Sequence, residues 1–100
     1  MTDDSARNRI AADRLRQLRN NISIADLIQG NLGLPWKHSE GYFRFLCPLC
    51  NEFHTATNPK TNLARCFRCN QNFNPIDIVM IVERCSFREA VRFLTNLEKK

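Results

Sequence analysis

The sequence predicts an α+β domain: a small antiparallel sheet with flanking α-helices. Three observations carry that prediction. Short alternating segments rich in aromatic residues fill the middle of the chain, turn residues separate them, and apolar residues recur at helical spacing toward both ends. At 100 residues the chain has the length of one domain. Its composition, 43% hydrophobic and 25% charged, is that of a globular chain and not of a disordered one. A chain this short buries only about two-thirds of its unfolded surface, so its core is modest. Lys+Arg 15 against Asp+Glu 10 gives a net charge of +5, which favours a polyanionic partner. No apolar run approaches the ~18 residues of a membrane span, and residues 1–20 lack a signal peptide's apolar stretch. The expected location is cytoplasmic, with no membrane partner and no small-molecule substrate.

The first five residues are expected to fray. Over residues 6–18, Ile10, Leu15 and Leu18 recur at roughly helical spacing among Arg7, Arg9, Arg14, Arg16 and Arg19. This helix is thinly apolar, and its arginines suit a solvated face better than a phosphate site. The chain therefore divides into a basic N-terminal helix, residues 1–20, and a domain over residues 21–100. Ser23 is a plausible N-cap with Asp26 as its acidic partner and Ile22 positioned to staple onto Leu27. That second helix is expected to end around Gly30–Gly33, and Pro35 prevents its resumption.

Residues 36–46 alternate and carry Trp36, Tyr42, Phe43 and Phe45 around a Ser39-Glu40-Gly41 turn, the pattern of a β-hairpin. Residues 53–57 and 63–67 form a second strand pair around Asn-Pro-Lys-Thr-Asn. Asn74 then caps a third helix with Pro75 in its first turn, where a missing N–H costs nothing, and Asp77 there complements the helix dipole. Ile76, Ile78, Val79, Met80, Ile81 and Val82 make that helix too apolar for the surface. In residues 86–97, Phe87, Ala90, Val91, Leu94 and Leu97 form an apolar stripe opposed by Arg88 and Arg92, and Ser86 with Glu89 forms a capping box.

The cysteines carry the chemistry. Cys47 with Cys50 and Cys66 with Cys69 are two C-x-x-C pairs with fifteen residues between them. Two intervening residues let a tight turn present both sulfurs to one ion, and a hairpin returns the second pair to complete a tetrahedron. Asn51 and Asn70 follow the pairs and tolerate the left-handed conformation that closes such a knuckle. One structural zinc ion on Cys47, Cys50, Cys66 and Cys69 is the expected cofactor, at one end of the sheet in the manner of a zinc ribbon. Iron in a rubredoxin-like sulfur cage fits the same spacing. Disulfides suit neither the odd cysteine count nor the absence of a signal peptide, and a thioredoxin-like pair should open a helix. Cys85 falls at the helix junction as a small apolar residue, and His54 is expected as an exposed strand histidine. Four sulfurs leave no open coordination position, and the ten acidic residues form no two-metal carboxylate motif, so no catalytic centre is expected.

Several segments together resemble the N-terminal zinc-binding domain of bacterial DnaG-type DNA primases and their phage and plasmid relatives. Ser23-Ile-Ala-Asp-Leu-Ile resembles its first helix, Cys-Pro-Leu-Cys its first metal pair, and Ala64-Arg65-Cys66-Phe67-Arg68-Cys69 its aromatic second knuckle. Ile76-Asp77-Ile78-Val79 and the segment from Phe87 to Leu94 resemble its two closing helices. Cys50 departs from the histidine usual in cellular members, and Arg68, Asn70 and Phe73 replace small residues. The resemblance implies a module that recognises single-stranded template DNA and assists primer initiation by a catalytic subunit on another chain or domain. Its expected partners are single-stranded DNA and a primase catalytic subunit, helicase or polymerase. The residues allow this role, because strand binding needs cations beside flat side chains: Arg44, Lys60, Arg65 and Arg68 beside Tyr42, Phe53 and Phe67. A zinc-stapled protein–protein adaptor and a duplex-binding zinc-ribbon regulator are the alternatives.

Overall fold

The computed structural model describes residues 11–98, so the expectations for residues 1–10 and for the terminal lysines lie outside the described residues. Four helices and five strands follow in the order α1 (Ala12–Asn21), α2 (Ile24–Leu27), β1 (Trp36–Ser39), β2 (Tyr42–Phe45), β3 (Thr55–Asn58), β4 (Leu63–Cys66), β5 (Gln71–Phe73), α3 (Pro75–Glu83) and α4 (Phe87–Glu98). The strands form one antiparallel sheet in sequence order. The α+β class is as expected.

Local chemistry accounts for most boundaries. Ser23 accepts the Asp26 N–H at 3.2 Å to start α2. The chain then widens into a π-helical segment, Ile28–Leu32, which the sequence pattern did not reveal, and stops at Gly33 with φ 69°. The β1–β2 turn has positive φ at Glu40 and Gly41, the two-residue geometry that matches strand twist. The third helix begins with a full capping box: Asn74 Oδ1 accepts the Asp77 N–H at 2.8 Å, and Asp77 Oδ2 accepts the Asn74 N–H at 3.1 Å. Asp77 therefore does more than complement the dipole. The Ser86–Glu89 box is also formed, at 2.9 and 3.1 Å. The backbone and hydroxyl of Ser86 hold the Glu89 carboxyl below its ordinary range.

The second strand pair differs from expectation at its bounds: β3 ends at Asn58, one residue past the expected 57, and β4 ends at Cys66, one short of the expected 67. The predicted strand over residues 53–57 starts at Thr55, because Phe53 and His54 complete the first knuckle's exit. His54 is exposed, as expected, but lies in that connection, where its carbonyl accepts the Phe67 N–H at 3.0 Å. The fifth strand was not anticipated; its short Gln71–Phe73 run gains its ladder only from β4.

Alternation assigns the two faces of the sheet. Phe43, Phe45, Thr55, Thr57, Ala64, Cys66 and Phe73 are buried toward the helices, where Leu18, Ile24, Leu27, Ile28, Ile78, Val79 and Leu94 complete the core. The helix α3 is less buried than its composition suggests. Ile76, Ile78 and Val79 are fully inside, whereas Met80, Ile81 and Val82 are half-buried. Phe87 leaves its stripe at 41% exposure, in the first turn after the corner formed by Arg84–Ser86.

Two polar ties hold the N-terminal helices to the rest. Arg14 bonds Glu98 at 2.8 Å and the Thr95 hydroxyl at 3.1 Å, so this arginine docks α1 on α4 instead of facing water. Asn62, in the β3–β4 turn at φ 56°, donates to the carbonyls of Arg19 and Ile22 and accepts the Ile24 N–H at 2.9 Å. One side chain thus satisfies three backbone groups at the α1–α2 corner. At about 0.5–1.5 kcal/mol for each bond, Asn62→Ala should lower the stability of the zinc-loaded protein by roughly 2–4 kcal/mol. Asn62→Gly should lower it by about 1 kcal/mol less, because glycine keeps the left-handed turn. Urea midpoints measure both, and unchanged midpoints would remove Asn62 from this role.

Candidate metal centre and the outer face of the sheet

The two knuckles form where strands end. Cys47 follows β2, and Asn51 with φ 60° turns the chain back, its N–H bonded to the Cys47 carbonyl at 2.9 Å. Cys66 ends β4, and Asn70 with φ 57° immediately precedes β5. Both asparagines adopt the left-handed conformation expected of them.

The four sulfurs lie within 4.8 Å of one another, with Cys47–Cys69 at 3.9 Å and Cys50–Cys66 at 3.6 Å. A tetrahedron with zinc–sulfur bonds of about 2.3 Å requires sulfurs about 3.8 Å apart. The donor set can therefore hold one zinc ion with little movement. Supporting donors are also in place: the Leu49 N–H approaches Cys47 Sγ at 3.4 Å, and the Cys69 N–H approaches Cys66 Sγ at 3.4 Å. Thr55, across the ladder from Cys66, has a fully buried hydroxyl without a partner of regular geometry. It stands where a thiolate can use it.

The thiols differ. Burial pushes Cys66 up, but the Cys69 and Arg68 N–H groups and the Thr55 hydroxyl outweigh it and bring Cys66 down to about 6. Burial and the neighbouring thiols push Cys69 up to about 12. Burial also raises Cys50. A metal ion must displace these protons, so acid weakens its binding. Cys85 stands apart, half-buried against the core with its Sγ 3.8 Å from the Val79 carbonyl, and burial raises its pKa.

The sheet's outer face carries a row of side chains across all five strands. The register pairs Lys37 with Arg44, Arg44 with Ala56, Ala56 with Arg65, and Arg65 with Asn72. Tyr42 at 50% exposure and Phe67 at 60% flank this row. Tyr42, Arg44, Arg65 and Phe67 line one groove of about 420 Å3, together with Ala56 and Leu63. Each arginine is tied: Arg44 to Glu40 at 3.3 Å, and Arg65 to the Asn72 and Asn70 carboxamides at 3.1 and 3.5 Å.

Lys60, Arg68 and Phe53 lie outside the groove lining. Lys60 is exposed in the β3–β4 turn, and Arg68 is exposed in the second knuckle. Phe53 is half-buried with the Lys37 ammonium 4.9 Å from its ring centre. Lys37 was missed from sequence, although its alternation with Trp36 and His38 places it on the Arg44 face once the hairpin register is fixed.

Zinc removal should unfold the knuckles and strands over Cys47–Cys69, because binding energy at such sites, about 10–16 kcal/mol, is folding energy. Zinc analysis should find one ion per chain in the wild type and in Cys85→Ser, and none retained in Cys66→Ser. Unchanged circular dichroism and protease resistance after chelation would contradict the coupling.

No curated protein matches this chain. The CHC2 zinc finger family, Zn_ribbon_DnaG, matches residues 10–99, which includes both knuckles and every helix and strand described. The chain's four-cysteine set places Cys50 where the family name has histidine, and the sulfur geometry accommodates that exchange. With its match over nearly the whole sequence and four sulfurs arranged for one ion, the chain belongs to the CHC2 zinc finger family, the zinc-ribbon domain of DnaG-type primases.

Proposed function

We propose that this domain binds single-stranded DNA across the outer face of its sheet and assists primer initiation by a primase catalytic subunit on another chain or domain. The observation that carries this reading is the cationic row Lys37–Arg44–Arg65 between two exposed aromatic rings. Strands lie about 4.8 Å apart, so the row runs some 14 Å from β1 to β4. That length suits a few nucleotides of extended strand. Guanidinium and ammonium groups neutralise phosphates, while Tyr42 and Phe67 offer flat faces to unpaired bases at about 1–3 kcal/mol each.

Family membership supports the same partner, since a primase domain works beside template DNA. The domain's role is recognition: a zinc ion held by four sulfurs has no open position for activating water. Among the described residues, no helix is long and apolar enough to cross a membrane.

In fluorescence anisotropy, Arg44→Ala and Arg65→Ala should each weaken binding to a mixed-sequence single strand roughly tenfold at low salt. Each should also reduce the salt slope by about one or less. Tyr42→Ala and Phe67→Ala should weaken binding at least about fivefold and leave the slope unchanged. Duplex of the same sequence should bind more weakly than the single strand. Equal affinity for both would favour a duplex-binding regulator. No affinity for either, with capture of a primase or helicase partner, would favour the adaptor.

A further inference from the structure

The groove is not uniform along the cationic row. Ala56 stands at its centre, with Arg44 one strand away on one side and Arg65 one strand away on the other. A methyl group between two long cations leaves a notch, and Leu63 and Tyr42 extend its lining. Its volume of about 420 Å3 falls within the range of small-molecule pockets, about 300–1,000 Å3, and exceeds what a phosphate alone needs. The methyl of Ala56 and the Leu63 side chain give an anion no donors, but they suit the flat face of a ring.

The two arginines are prepared differently. Arg44 is partly neutralised by Glu40 at 3.3 Å and lies over the Tyr42 ring at 5.7 Å. Among the described residues, Arg65 has only neutral partners: Nη1 donates to Asn72 Oδ1 at 3.1 Å and Nη2 to Asn70 Oδ1 at 3.5 Å. Two carboxamides on two different nitrogens fix the guanidinium plane without cancelling its charge. Such an oriented fork is specific for an edge with two adjacent acceptors, which a point charge does not distinguish.

We propose that the notch over Ala56 is a base-reading subsite that takes guanine, with its N7 and O6 acceptors on the Arg65 fork. Among the bases, guanine combines that acceptor pair with a purine's large stacking face, and arginine on this edge is the commonest specific base contact. The inference rests on the single-strand reading above and adds specificity to it. Arg44, already paired, acts on the passing phosphates, while Arg65 chooses the base.

The test uses the zinc-loaded full chain and four labelled oligonucleotides: nine thymidines, and the same strand with one central guanine, one central 7-deazaguanine or one central cytosine. A bidentate pair should make the guanine strand bind roughly 5–150-fold tighter than oligothymidine. The 7-deazaguanine strand, lacking N7, should lose most of that advantage. Arg65→Lys keeps the charge but not the fork and should collapse the guanine-to-thymine ratio toward one. Ala56→Ile fills the notch with a strand-compatible side chain and should do the same, its zinc content reporting that it folds. A ratio near one in the wild type, an equal preference for a central cytosine, or a ratio undiminished in Arg65→Lys would overturn the guanine subsite while leaving single-strand binding intact. Failure of the wild type to bind any of the strands would overturn both.

Discussion

The four-sulfur centre is the constraint on which the other features of this small domain depend. The strands have three or four residues each, and hairpins of that size are marginal in water. The centre joins them at two points: the knuckle after β2 and the knuckle between β4 and β5. A structural zinc contributes about 10–16 kcal/mol, which is as large as the net stability of a typical domain, about 5–15 kcal/mol. Cys47 and Cys66 are fully buried in the same cluster as Phe45 and Phe73, so the metal centre and the apolar core form one continuous body. With so little core available at this chain length, neither part is expected to persist without the other.

Fixing the knuckles also fixes the register, and register determines what each face displays. A slip by one residue would send Phe43 and Phe45 into water and Arg44 into the core. The outer row from Lys37 to Asn72 is therefore a consequence of the metal centre. The arrangement also accounts for the asparagines. Asn51, Asn62 and Asn70 each occupy a left-handed position at the end of a turn, where glycine is the usual residue. Asparagine there adds a side chain with a use: Asn62 ties the helical corner, and Asn70 braces Arg65.

How much of this was legible in the sequence depended on whether the signal was local. The C-x-x-C spacings, the asparagines that close the knuckles, the Ser23 and Asn74 caps and the Ser86–Glu89 box are written within four residues of each other, and the structure contains all of them. Apart from the π-helical segment Ile28–Leu32 and the short β5, the unforeseen features join distant segments. Arg14 meets Thr95 across 81 positions, and Asn62 meets Arg19 across 43. No window of sequence contains both partners. At the candidate binding face, Tyr42, Arg44, Arg65 and Phe67 were nameable as residue types beside the knuckles, but their convergence on one groove required the ladder. Lys37 escaped notice for the same reason.

The charge of the domain bears on which nucleic acid such a face would select. Four thiolates and one divalent ion together add about −2, lowering the formal +5 to about +3, so bulk attraction to polyanions is mild. Duplex DNA offers dense phosphates with its base faces stacked out of reach, and a protein that binds it by charge alone gains from every added cation. Here all three cations in the row already have partners among protein side chains or rings: Arg44 with Glu40, Arg65 with the Asn72 and Asn70 carboxamides, and Lys37 over Phe53. What the face offers beyond charge is two exposed rings and a notch floored by Ala56, and these have value only against an unpaired base. On the proposed reading, weak bulk charge combined with exposed stacking surface penalises duplex relative to single strand. A protein that helps to start synthesis on an opened template needs that discrimination, and on this reading it comes from the rings and the notch more than from the arginines.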